Sequence, residues 1–117
     1  MTDPATLLAL ADRCEQAAGS DRELDAEIAV ALFGGNVIYD LKIKQWRRIK
    51  ITSAWRMDHP LPPYTTSLDA ALTLVPEGCG WMVMSSAAKV GVWPSHGATP
   101  ALALCAAALR ARAAEYE

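Results

Sequence analysis

No stretch of this chain approaches the ~18 uninterrupted apolar residues that a membrane helix requires, so a helical span is excluded. The opening Met1-Thr2-Asp3-Pro4 is acidic where an export signal is basic and then apolar, which sets the expectation of a cytoplasmic protein in its host cell. The three cysteines, Cys14, Cys79 and Cys105, are odd in number and far apart. Two of them fall in apolar helical stretches, where a reduced thiol behaves as a small buried hydrophobe. The two histidines, His59 and His96, form no helical metal-binding pair, so no metal is expected. There is no glycine-rich phosphate loop and no Gly-x-Ser-x-Gly elbow. Cys79 with His96 is the sole conceivable nucleophile and base, and most acidic residues sit at helix starts where capping accounts for them. The expectation is a binding protein without cofactor, not an enzyme.

Also missing are internal repeats, low-complexity tracts and linkers, and at 117 residues the chain supports one core, burying roughly two-thirds of its unfolded surface. Residues 1–117 therefore read as a single domain. Asp3-Pro4 sets a capping side chain before a proline, and Leu7, Ala11, Cys14 and Ala18 recur at helical spacing, giving a first helix from about Pro4 to Ala18 with Gly19 as its stop. Ser20-Asp21-Arg22-Glu23 reads as a capping box for a second helix with Leu24, Ile28, Ala31 and Leu32 inward. Gly34-Gly35 ends it.

The period then changes to two. Val37, Tyr39, Leu41 and Ile43 alternate with Ile38, Asp40, Lys42 and Lys44, and Ile49, Ile51 and Ser53 continue after a turn near Gln45 to Arg47. A hairpin is the natural reading, with a basic helix over residues 41–51 as the alternative. His59-Pro60-Leu61-Pro62-Pro63-Tyr64 reads as extended loop. Thr66-Ser67-Leu68-Asp69 opens a third helix, with Leu68, Ala71, Leu72 and Val75 inward and Pro76-Glu77-Gly78 as its end. Residues 81–85 and 89–93 form a second hairpin around Ser86-Ala87-Ala88. Thr99-Pro100 starts a fourth helix carrying Ala101, Leu104, Cys105 and Ala108 on one side. The order α-α-β-β-α-β-β-α predicts an α+β fold, an antiparallel sheet of about four strands covered by helices.

Three segments carry a resemblance: Arg22-Glu23-Leu24-Asp25-Ala26; Pro63-Tyr64-Thr65-Thr66-Ser67-Leu68-Asp69-Ala70-Ala71 with Leu74-Val75-Pro76-Glu77-Gly78; and Ala98-Thr99-Pro100-Ala101-Leu102-Ala103-Leu104-Cys105-Ala106-Ala107. Together they resemble the phage ABA sandwich domain family, small phage and prophage proteins of largely uncharacterised function. The resemblance covers about half the chain and leaves out the stretch from Asn36 to His59. It implies a sheet sandwiched by helices and a phage or prophage setting. By analogy of size and context, it also implies an accessory role against host immunity, such as a sponge for a nucleotide signal.

Charge is segregated. Lys42, Lys44, Arg47, Arg48, Lys50 and Arg56 place six of the eleven basic residues in fifteen acid-free positions, and with a net charge of −2 the rest of the chain carries −8. Such a cluster attracts phosphate, and Trp46 and Trp55 in the same stretch offer faces for stacking on a base. The alternative is a solvated hairpin with tryptophans in the core. Duplex DNA is disfavoured for so small a basic surface, whereas a small phosphorylated or nucleotide-like ligand needs fewer charges. Tyr64, Thr66 and Ser67 lie where the third helix offers free amides to an anion, or else form an ordinary cap beside a packed tyrosine. Trp93 and His96 either line a pocket rim or sit in a connecting loop. Arg110 and Arg112 suit the negative end of the fourth helix, or face a ligand or partner. An enclosed pocket in so small a domain calls for a homo-oligomer. The competing function is an adaptor or inhibitor of a host protein that uses the Trp/Arg-rich segment 46–56, and a third is a phage structural component.

Overall fold

The computed structural model describes residues 3–51 and 56–115. Helix α1 spans Pro4–Gln16, and α2 spans Arg22–Phe33. Strands β1 (Asn36–Asp40), β2 (Gln45–Ile51) and β3 (Arg56–Pro60) form one antiparallel sheet in that order. A short helix α3 (Leu68–Leu72) follows. Strands β4 (Trp81–Val83), β5 (Ala87–Val90) and β6 (Trp93–His96) form a second antiparallel sheet, and α4 (Pro100–Ala114) closes the described chain. The fold is α+β with the predicted order of helical and strand segments. Its strands divide into two sheets of three where one sheet of about four was expected.

Both extra strands take in part of a segment expected as loop, and both end in or contain a proline. His59 and Pro60 complete β3, and Pro94 lies within β6. Proline is tolerated there because each strand is a sheet edge, so no ladder hydrogen bond is lost. The first hairpin turns earlier than expected, over residues 41–44, with Lys44 at φ 54°, so Gln45 to Arg47 belong to β2. The second turns over residues 84–86, which leaves Ala87 and Ala88 in β5. The Ser53 end of the expected strand lies outside the described residues.

Helix ends follow their caps. Asp3 accepts from the Ala5 amide and Thr99 from the Leu102 amide, each followed by proline as predicted. For α2 the capping residue is Asp21, not Ser20. Its carboxylate accepts from the Glu23 and Leu24 amides, and its own amide donates to Thr65 Oγ1 at 2.9 Å, which fixes the extended backbone a cap needs. α1 stops at Gln16 because Ala17 turns extended, two residues short of the predicted end. α3 passes into tight turns after Leu72, which buries Leu74 and leaves Leu68 exposed.

The core centres on α4. Residues 101–109 of this helix are all buried, together with Ala111 and Ala113. It is therefore enclosed on every side, against α1, α3 and the β4–β6 sheet, where a single inward face was expected. Its alanines let neighbours approach closely: a Cβ on Gly97 would lie 2.7 Å from the Ala103 amide nitrogen. Leu7, Leu10, Leu24, Ile28, Leu74, Leu102, Leu104 and Leu109 fill the remaining space. Each such side chain contributes about 1.5–3 kcal/mol of burial. Cys14 and Cys105 are both buried and interact with each other, and this contact and desolvation push the Cys105 thiol well above its ordinary range. The β1–β3 sheet rests on α2 through Val37 and Trp46, away from α4. Gly35 makes that transition possible: at φ +78° it passes so near β2 that a Cβ would meet Ile49 O at 2.5 Å.

Candidate functional site

Residues paired in an antiparallel ladder share a face, so the register sorts the basic residues of the first sheet. Val37, Tyr39, Trp46, Arg48 and Lys50 lie on the face toward α2; Ile38, Arg47, Ile49, Ile51, Arg56 and Asp58 lie on the other. The expected single cationic ribbon is thus split. Arg47 donates from Nε to Asp58 Oδ1 at 2.9 Å, and Arg56 lies 3.5 Å from Asp58 Oδ2. One carboxylate, two positions beyond the acid-free run, neutralises part of the outer face. Lys42 and Lys44 stand exposed at the hairpin tip, and Lys50 is exposed on β2. Trp46 is half-buried, edge-on to Tyr39 with ring centroids 5.6 Å apart, and Trp55 lies outside the described residues. Lys44 and Trp46 do meet in an open cleft of about 330 Å³ with Arg22, Gln45, Pro60 and Leu61. The Arg22 guanidinium there is already held by Asp25 and the Leu61 carbonyl.

Arg48 has a different environment. Its guanidinium lies 4.8 Å from the centroid of Phe33, the last residue of α2, and the Arg112 guanidinium lies 6.0 Å from the same ring. Arg112 also donates to the Leu74 carbonyl. The buried Arg48 Nε has no hydrogen-bond partner among the described residues. Tyr64 is near both cations, yet burial dominates and raises its phenol above the ordinary value. The sequence places Arg48 and Arg112 over sixty positions apart, and nothing in either segment signals that Phe33 brings them together.

The other predicted site residues are dispersed. Tyr64 is in the core, and its carbonyl accepts from the Cys105 thiol. The Thr66 and Ser67 amides both donate to the Pro63 carbonyl, and Ser67 Oγ accepts from the Ala70 amide. The Thr66 and Ser67 amides are thus taken up within the turn, and the helix they precede is only five residues long. Trp93 and His96 lie on β6. His96 Nδ1 sits 3.2 Å from Glu15, which also binds Arg110 at 2.7 Å. Arg110 completes a cluster with Asp12 and Ser95. This cluster ties α1, α4 and β6 together and holds the Glu15 carboxyl below its ordinary range, chiefly through the Arg110 hydrogen bond.

A surface that sequence reasoning missed runs beside β1. Leu61 N donates to Trp46 O, so in β2 the even-numbered residues face β3 and the odd-numbered ones face β1. Asn36, Ile38 and Asp40 are consequently committed to β2, and the amides and carbonyls of Val37 and Tyr39 point to the open side. Along that edge lies an open groove of about 460 Å³, walled by Val37 and Asn36, by Ala26, Val30 and Ala31 of α2, and by Leu10 of α1. Glu27, ion-paired with Arg13, stands at its rim. Nearby, Ile38, Tyr39, Leu41 and Ile43 are exposed. No family model, no curated protein and no solved structure matches the chain.

Proposed function

We propose that this protein is a binding module that takes up an extended, apolar segment of another protein by adding it as a strand beside β1. The supporting observation is the groove along the β1 edge, with which no described residue pairs. Outward main-chain groups of Val37 and Tyr39 supply hydrogen bonds, and the apolar wall of α2 receives alternate side chains. Half-exposed Val30 gains most from being covered. The exposed lysines at the hairpin tip favour acidic residues flanking that segment. The phage or prophage setting rests on the three sequence segments described above; in that setting the captured segment belongs to a host protein, and the module acts as its adaptor or inhibitor.

The test is selection of random peptides on the purified protein, followed by amide exchange of the complex. Enriched peptides should alternate apolar residues, protect the Val37 and Tyr39 amides, and lose binding to Val30→Arg. Selected peptides that leave those two amides unprotected, or no enrichment at all, would overturn the reading.

A second reading, a small phosphorylated or nucleotide-like ligand, is favoured by Arg48 and Arg112 sharing one aromatic ring, with Arg48 Nε unpartnered among the described residues. It extends to the sponge role against host immunity. A nucleotide panel should then raise the melting temperature by several degrees, and Arg48→Ala should abolish the rise. A flat response across the panel eliminates it.

A further inference from the structure

The two edges of the β4–β6 sheet are built differently. Met84 N donates to Ala87 O at 2.7 Å and Gly91 N to Gly80 O at 2.8 Å, so the even residues of β4 face β5. Trp81 and Val83 therefore turn their amides and carbonyls outward, and no described residue pairs with them there. On the far side, the same alternation pairs Ala88 with Ser95 and Val90 with Trp93 inwardly, so Pro94 and His96 point outward. Pro94 has no donor, and the His96 amide is taken by Glu15 Oε2 at 3.1 Å. That edge is closed to strand pairing; β4 is open.

β4 is short, at three residues, but it lacks two other devices that keep an edge solitary, charge and proline. From Cys79 to Ala88 there is no charged residue and no proline. The exposed side chains along it are large and apolar, with Trp81 52%, Met82 62% and Met84 65% accessible.

We propose that a second copy of this chain pairs antiparallel along β4, about a two-fold axis at Met82. Trp81 then lies opposite Val83 of the second copy, and the reverse, so that the outward groups make four hydrogen bonds. Met82 faces its own counterpart at a non-hydrogen-bonded position, where Cα atoms lie about 4.5 Å apart. The product is one six-stranded antiparallel sheet. Its outer edges are both β6, so growth stops at two copies and no fibre follows. Neutrality of the strand is what selects a second copy: a strand with charge of either sign would repel itself across the axis. The three side chains expose roughly 400 Å² per copy, the most that pairing can remove from water and short of the ~800 Å² per partner of a standard interface. The dimer is therefore weak, with a Kd of roughly 1–100 μM. This inference goes beyond the proposed function, because the β1 groove belongs to the other sheet and either can fail alone.

Sedimentation velocity across that concentration range tests it, using the full chain, Met82→Lys and Met82→Glu. Met82 is exposed and lies opposite Lys89 on β5, so Met82→Glu should keep the parent melting temperature and Met82→Lys should lower it only slightly. The parent should pass from monomer to dimer, and each variant should weaken pairing by about tenfold or more, because like charges then meet across the axis. An equimolar mixture of the two variants should restore the dimer. A parent that stays monomeric throughout, a dimer indifferent to Met82→Lys, or a mixture that does not recover would each overturn it.

Discussion

The carboxylate of Asp25 accepts a hydrogen bond from the Thr65 amide at 2.7 Å, joining α2 to the loop before α3 across forty residues of sequence. Asp25 is fully buried and also holds the Arg22 guanidinium at 2.9 Å, while Arg22 reaches on to the Leu61 carbonyl. Replacing the carboxylate with a methyl strands a buried amide and releases a cation. Asp25→Ala should therefore cost about 3 kcal/mol of unfolding free energy. Asp25→Asn keeps an acceptor for Thr65 and should cost roughly half as much. Urea denaturation of the two variants checks the order, and equal losses would show that the Thr65 bond contributes little.

Glu15 makes the fold sensitive to acid. Arg110 lowers the carboxyl below its ordinary value, with His96 assisting, against the opposing effect of burial. A carboxyl lowered in the folded state favours folding above its unfolded pKa, and that contribution is lost as pH falls through the folded value. Glu15→Gln should thus cost about 1 kcal/mol at pH 7, and the gap to the parent should close below the carboxylate range. Denaturation curves from pH 7 down to pH 3 measure this. A gap that persists unchanged at the lowest pH would mean that packing, not charge, is what Glu15 supplies.

Helix starts were legible because Asp3-Pro4 and Thr99-Pro100 encode their caps locally, and hydrogen bonds from those caps are present. The two sheets were less so. β3 ends on Pro60 and β6 contains Pro94, residues that argue against a strand unless the strand is an edge, and edge status depends on partners far along the chain. The tip of the first hairpin carries no glycine to mark it, since Lys44 itself adopts the left-handed backbone. From sequence α4 looks one-sided because alanine is too small to declare which faces are covered; enclosure by α1, α3 and the second sheet decides that. At the candidate site the cluster of basic residues was visible, but its division between two faces follows from strand register. Its partial neutralisation follows from Asp58 folding back opposite Ile49.

That folding back makes Asp58 the residue that governs the outer face of the first sheet. Arg47 and Arg56 share its carboxylate, so the trio carries one net positive charge, and removing the carboxyl charge leaves two. Asp58 is partly exposed, and ion pairs of this kind contribute little to stability, so Asp58→Asn should change it by less than about 1 kcal/mol. Its effect on anions should be larger. The freed guanidiniums should bind inorganic triphosphate more tightly than the parent does, with a steeper dependence on salt. Arg48→Ala should leave this gain intact, because Arg48 lies on the opposite face of the same strand. Calorimetric titration of triphosphate at low and moderate salt reads both effects. Equal binding by parent and Asp58→Asn would show that the two arginines are held by something other than this carboxylate.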